Sequence, residues 1–570
     1  MSEGVIARGD KRAVTGAVGE EIVSKHLTAK KKEKLVVTAA SLGTMFEWFD
    51  FYLYGLLATY ISSQFFSGVN ETTAFILALA AFAAGFAVRP FGSLVFGRFG
   101  DIIGRKYTFL VTMGLMGFST FAVGLLPSYA SIGVAAPIIL VALRLLQGLA
   151  VGGEYGGAAT YVAEHAPHNR RGFFTSFIQT TATLGLILAL LLVIGLRALI
   201  GEEAFADWGW RVPFLLSIVL LAISLWIRIQ LEESPVFQRM KEEGATSKAP
   251  IKEAFGQWNN IKFGLIALFG AVAGQAVIGY TAQFYTMFYL EKILKVDPAT
   301  ANTMILIGLI LGTPFFVIFA WLSDRIGRKP IIVTACLVAA VIYFPAFKAL
   351  TYAANPALAA AVERAPVTVV ANGGECSLQF DPVGKNTFDS SSCDIAKAYL
   401  AKGGINYSNE SAPAGKVAEV HIGDKVIVAP DPVTLPAEEK QVAIAAFAAE
   451  VKAGLDDAGY PLEADPEQIN KPLVVMILFG LMLVATAPYA PLAAMLVELF
   501  PARIRYTAMS LPYHIGNGWF GGFLPSAAFA MVAATGDIFF GLWYPVVIAG
   551  MTCVVGALFL PETFRRNIHA

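Results

Sequence analysis

"GRFGDIIGRK", residues 97–106, separates two long apolar stretches, and "LSDRIGRK", residues 322–329, nearly repeats it in the other half of the chain. Around these segments the composition is that of a membrane protein. Of 570 residues, 56% are hydrophobic and only 15% charged, against about 25% charged in a soluble domain. The formal net charge is zero, which gives no reason to expect a nucleic-acid partner.

A helix that spans a bilayer needs about 20 mostly apolar residues. Twelve segments qualify: 36–61, 73–97, 107–126, 134–158, 172–196, 212–231, 262–290, 302–322, 331–352, 472–499, 505–533 and 537–560. They are too long and too continuously apolar for barrel strands, so helices are expected, with the backbone bonded inside each segment. Residues before 36 are polar and basic and lack a cleavable signal's apolar core. Lys and Arg set the orientation. They gather at Lys30–Lys34, at 97–106, at Arg170 and Arg171, at 325–329, and at Arg503 and Arg505, whereas 62–72, 127–133 and 534–536 have none. Lys292 and Lys295 are exceptions. The expectation is that both termini and the basic turns face the cytoplasm.

A second internal match extends the repeat. "EHAPHNRR" (164–171) and "ELFPARIR" (498–505) both read Glu, two residues, Pro, three residues, Arg. Each half therefore carries an Asp-Gly-Arg turn, two helices, then a Glu-Pro-Arg turn, and repeated halves with a site between them are a common transporter construction. The step from Asp101 to Glu164 is 63 residues but that from Asp324 to Glu498 is 174. The excess falls at 355–470, where the composition turns soluble. "PVTVVANGG" and "KVIVAPDPV" resemble short strands, and "PAEEKQVAIAAFAAEVKAGLDDAG" an amphipathic helix with a C-terminal Gly. A small α/β unit outside the membrane is expected, with a disordered linker as the alternative. Cys376 and Cys393 are its only cysteines, and an oxidising compartment would favour a disulfide. With only His421 nearby, no metal site is expected.

Five segments carry a family resemblance. "SLGTMFEWFDFYLYG" (41–55), "RPFGSLVFGRFGDIIGRK" (89–106), "RLLQGLAVGGEYGGAATYVAEHAP" (144–167), "WGWRVPFLLS" (208–217) and "LPYHIGNGWFGGFLP" (511–525) resemble the metabolite:H⁺ symporter branch of the major facilitator superfamily. Ile102 and Ala320 depart from its loop signature, and the large insert departs from the usual family pattern. The resemblance implies an all-α polytopic membrane protein of twelve transmembrane helices in two six-helix halves, with the α/β insert between the ninth and tenth. The expected parts are a tail (1–35), a first bundle (36–231), an interdomain loop (232–261), helices seven to nine (262–354), the insert (355–470), helices ten to twelve (471–560) and a second tail (561–570). The implied activity is secondary transport by alternating access in a bacterial inner membrane. Its partners are a small metabolite, H⁺ and the lipid bilayer, with the insert periplasmic, a monomeric carrier and no cofactor beyond the proton.

Charged residues inside a membrane usually face a cavity and mark function. Glu47 and Asp50 are three residues apart, on one helix face with Tyr54. Arg144 reaches a similar depth and is expected to pair with them; a structural ion pair is the plainer alternative. Gln275 in the seventh helix and His514 and Asn517 in the eleventh are further proton or substrate contacts, although a lone His in a packed helix is more often structural. Gly148, Gly152 and Gly156, with Gly153 and Gly157, allow close helix packing. They form no nucleotide loop, since no Gly-Lys-Ser/Thr follows.

The repeated turns are read as two charge latches at the cytoplasmic mouth. One uses Arg89, Arg98, Asp101, Arg105, Glu154, Glu164 and Arg171, the other Asp324, Arg328, Glu498 and Arg505. The alternative is that these charges only anchor topology. No enzyme motif such as His-Glu-x-x-His or Gly-x-Ser-x-Gly occurs. The function classes are a proton symporter, a passive facilitator or exchanger, and a sensor using the insert. Arg144 favours an organic acid, with proline- or betaine-like osmolytes as the alternative; the resemblance adds that no long charged coiled-coil tail, a feature of some osmosensing members, follows Pro561.

Overall fold

The computed structural model describes residues 41–67, 71–229, 233, 235–377 and 388–568. Among the described residues, ten helices are long and apolar enough to cross a membrane. Two further helical segments occupy the remaining expected positions. The first is described from residue 41 to residue 65, with a break at Leu57. The eleventh runs through Arg505–His514, a π-helical stretch Ile515–Gly521, and Leu524–Thr535.

In chain order the others are the second (Glu71–Ala87 and Arg89–Ile102), third (Arg105–Leu125), fourth (Ala135–His165), fifth (Arg171–Ile200) and sixth (Arg211–Ile229). After the interdomain loop come the seventh (Trp258–Ile293), eighth (Pro298–Ile326), ninth (Arg328–Ala354), tenth (Lys471–Leu499) and twelfth (Trp543–Phe559). The loop itself holds short helices Pro235–Glu242 and Pro250–Gly256, and its Glu253 pairs with Arg503.

Glycine spacing brings the helices together as its period requires. A Cβ on Gly148 would strike the Gly85 carbonyl, and one on Gly152 the Arg89 carbonyl, so these two seat the fourth helix on the second. Gly156 and Gly157 instead face Ser510 and Tyr506 of the eleventh helix. The same small-residue ridge thus packs within the first half and against the second.

Between the ninth and tenth helices the chain folds into a mixed four-stranded sheet ordered β2-β1-β3-β4. β1 (Val367–Ala371) runs parallel to β2 (Tyr407–Ser411) and antiparallel to β3 (Glu419–Ile422), which turns through Gly423 into β4 (Lys425–Val428). Helix Ser392–Gly403 makes the crossover from β1 to β2, and helix Ala437–Asp457 ends just before Gly459, whose φ of 79° suits a residue without Cβ. Cys376 and Cys393 form a disulfide with Cα atoms 5.3 Å apart. Asp394 fastens the same corner by accepting from the Ser377 N–H at 2.6 Å and from the Ser390 hydroxyl at 2.5 Å. The unit is tied to the second half of the bundle. The Tyr407 N–H donates to the Gly536 carbonyl at 3.0 Å, the Ile538 N–H to Asn406 Oδ1 at 3.1 Å, and the Ala464 N–H to the Lys295 carbonyl at 2.9 Å.

Candidate functional site

The two repeated turns meet across the seam between the halves. Asp101, next to last in the second helix, accepts from the Thr507 N–H at 2.9 Å and the Thr507 hydroxyl at 2.7 Å. Asp324, near the end of the eighth, accepts from the Gly172 and Phe173 N–H groups, both at 2.8 Å. Each aspartate therefore caps the N-terminus of a helix in the opposite half, where backbone donors are unsatisfied and negative charge is favoured. Asp101 thus acts on the N-terminus of the eleventh helix. The Glu-Pro-Arg turns exchange ion pairs in the same crossed way. Arg505 reaches Glu164 at 2.8 Å, and Arg171 reaches Glu498 at 2.6 Å. Arg328 bridges Asp324 at 2.6 Å and Glu498 at 3.2 Å. The side chain of its counterpart, Arg105, lies outside the described residues. Arg98 points outward and is exposed.

The chain's last described residues lie across this network. The Thr563 hydroxyl donates to Glu498 at 2.7 Å, Arg505 donates to the Ile568 carbonyl at 2.9 Å, and Glu562 accepts from the Arg328 N–H at 2.9 Å. Thr563 and Ile568 are buried.

Away from this end the seam is aromatic. Tyr52 and Phe82 of the first half lie 5.5 and 6.5 Å from Phe284 of the seventh helix, and Phe86 lies 5.6 Å from Tyr280. Tyr155 stacks flat on Tyr513 at 3.4 Å, and the Tyr513 and Tyr489 hydroxyls are 2.9 Å apart. Between the ionic and aromatic zones lies a small cavity with about 10 Å³ of room, enough for about one water. Glu47, Trp48, Glu154, Tyr155, Tyr513 and His514 line it.

Four charges sit elsewhere than the sequence led us to expect. Arg144 does not pair with Glu47 or Asp50. Its guanidinium donates to Gln147 at 2.5 Å and lies against Tyr54 at 4.3 Å, Phe51 at 5.0 Å and Phe82 at 5.3 Å. Glu47 instead meets Arg228 of the sixth helix at 3.3 Å. The third is Arg89, which is not part of the ionic network. It is buried among Phe51 (4.1 Å), Phe86 (4.3 Å) and Trp48 (5.8 Å) beside the seam. Its Nε and Nη2 lack hydrogen-bond partners, as do Asp50 Oδ1, Glu154 Oε1 and both ring nitrogens of His514. Native interiors leave few such groups unpaired, so their concentration here marks a polar site rather than plain core. Glu154 belongs to this layer too, one helix segment away from Glu164.

Tyr54 donates to the Ala78 carbonyl at 3.1 Å, which makes it a link to the second helix. Gln275 and Asn517 come together across the second half, with the amide of Asn517 donating to Gln275 at 3.4 Å. Four π-helical runs re-aim the seventh and eleventh helices here: Leu268–Val272, Thr281–Tyr285, Tyr289–Ile293 and Ile515–Gly521. Such bulges recur at functional sites. Arg228 is the residue sequence reasoning missed. It ends an apolar run, where an arginine reads as a topology anchor. Arg89 and Glu154 could have been placed correctly, because both fall inside apolar segments, where a lone charge signals function.

The Major Facilitator Superfamily model matches residues 40–373. The chain belongs to the Major Facilitator Superfamily. Its ten described helices of membrane-spanning length fit that family. The proline/betaine transporter of Salmonella typhimurium is 37% identical over 327 residues, covering 55% of this chain and 64% of that protein. A putative proline/betaine transporter of Staphylococcus aureus is 39% identical over 310 residues, covering 54% of this chain and 66% of its own. The chain thus spans slightly less than two thirds of the length of the curated relatives it matches. Among solved structures, the proton:xylose symporter XylE bound to 6-bromo-6-deoxy-D-glucose has a TM-score of 0.58 at 15% identity, over 95% of this chain and 98% of that one. That likeness concerns the fold. The expected preference for an organic acid finds no support among these relatives.

Proposed function

We propose that the chain is a proton-coupled carrier of small zwitterionic osmolytes of the proline or betaine kind, working by alternating access between its two halves. The observation that carries this reading is Arg89, buried with unpartnered Nε and Nη2 among the rings of Trp48, Phe51 and Phe86 at the seam. A guanidinium with free donors suits a substrate carboxylate. The faces of these rings suit a cationic nitrogen. A zwitterion needs both in one layer; an organic acid needs only the first. The relatives' names support the same choice.

In this reading the crossed ion pairs are the cytoplasmic gate. Both termini lie in the cytoplasm, and the insert lies on the far side with its disulfide in an oxidising compartment. The aromatic contacts around Phe284 close the other mouth, so the seam is shut at both ends around the small central cavity. Binding decides the substrate class. Thermal stabilisation of the purified protein should rise with proline or betaine by mass action and stay flat with succinate, citrate or shikimate. Stabilisation by the acids alone would return the assignment to an organic-acid carrier.

A further inference from the structure

We infer that Glu47, Glu154 and His514 together form one proton-holding site, shared across the seam through the water-sized cavity that all three line. This rests on the proton-coupled reading above and places its proton at a site away from the Arg144 neighbourhood.

The three groups come from the first, fourth and eleventh helices, so the site is complete only when the halves are together. They are 5%, 3% and 1% exposed. Glu154 Oε1 and both nitrogens of His514 have no hydrogen-bond partner, and all three residues line the same cavity. A buried carboxylate without a donor is costly when charged, and two carboxylates sharing one site do not both ionise readily. The ion pair with Arg228 balances Glu47. Glu154 is then the carboxylate of the three without an ion pair, and a proton is what cancels its charge.

The surrounding charged and titratable groups are consistent with this. Arg228 approaches from the sixth helix. Asp50 lies one turn along the first. Arg89 of the second helix is packed among the rings of Trp48, Phe51 and Phe86. Arg144 is held behind Phe51 and Tyr54. The phenols of Tyr155 and Tyr513 complete the wall. The imidazole argues for a proton over a hard metal cation, which prefers oxygen ligands. Among the described residues no group of His, Cys, Asp and Glu is close enough to hold a metal ion, which fits three groups linked across a space and not converging on one point. The proton is taken up by a carboxylate or by an imidazole nitrogen. It moves among the three while the halves are closed, and leaves as H⁺ when the gate parts.

The test uses the full-length protein in lipid nanodiscs, without substrate and without a gradient. Infrared difference spectra across a pH series report the carbonyl stretch of a protonated carboxyl. The wild type should show one such titration. Glu154→Gln and Glu47→Gln should each move its midpoint by one pH unit or more, and His514→Gln should move it too. Glu154→Asp should restore it to within half a unit, which separates a proton-site effect from poor folding. A midpoint unchanged in Glu154→Gln and His514→Gln, in protein that remains monodisperse, would overturn the inference. So would a wild-type signal that sodium displaces as effectively as protons do, since that describes a cation site. Because no transport is measured, failure here leaves the carrier reading standing, and loss of gradient-driven uptake would not by itself move this titration.

Discussion

Glu47 and Arg228 show how a residue's neighbour decides its role. The pair is buried at 3.3 Å, with Arg228 also lying over the Phe109 ring at 3.2 Å. Removing one partner of a buried pair leaves an uncompensated charge and costs about 3–5 kcal/mol, whereas replacing both can be nearly neutral. Arg228→Met should therefore lower the melting temperature strongly, and Glu47→Gln with Arg228→Met should recover most of the loss in the same detergent. Equal melting of all three proteins would mean that the pair contributes little. Arg89→Lys keeps the charge but loses the planar fork, so we expect proline or betaine binding to weaken at least tenfold while melting in the absence of ligand changes little. At this scale the sequence was read well where the chemistry is local. Glu47 and His514 stand out as charge or imidazole in apolar helices, and they do share a cavity. The pairing expected of Arg144 failed because depth along two helices says nothing about which faces meet, and its guanidinium lies against three aromatic rings.

The elements that close the basic end are helix N-termini, a glycine ridge and the C-terminal segment. Asp324 uses both oxygens on two N–H groups and a third contact on Arg328. Asn in its place would aim an NH₂ at a donor, so Asp324→Asn should favour the state open at that end. Engineered cysteines at this mouth should react several times faster with a membrane-impermeant thiol reagent; unchanged reactivity would leave these charges as topology anchors only. Gly156→Val should act in the same direction, because any Cβ there meets Ser510 of the opposite half. A protein truncated after Leu560 loses the bonds from Thr563 and Ile568 to the network and should show the same faster labelling. The crossed pairing was legible in outline from the repeated Asp-Gly-Arg and Glu-Pro-Arg turns. The contribution of residues 561–568 was not, because a short polar tail carries no periodicity and its bonds mix side chains with backbone carbonyls.

For the whole molecule, the long apolar runs and the doubled turns carried most of the fold, since a bilayer allows few alternatives to bonded helices. The insert was legible as three of its elements, β1, β4 and the helix Ala437–Asp457. The strands Tyr407–Ser411 and Glu419–Ile422 escaped because pairing with neighbours, not local propensity, defines them. The insert's bonds from Tyr407, Asn406 and Ala464 to the second half predict that it moves with that half when the seam opens. The central claim is that a proton gradient drives uptake of a zwitterion through the seam. It is tested most directly by radiolabelled proline and betaine uptake into proteoliposomes of the full-length protein, with and without an imposed inwardly directed proton gradient. The account predicts accumulation above the outside concentration only with the gradient, abolished by a protonophore and in Glu47→Gln. Equal uptake with and without the gradient, or accumulation of neither substrate, would contradict it.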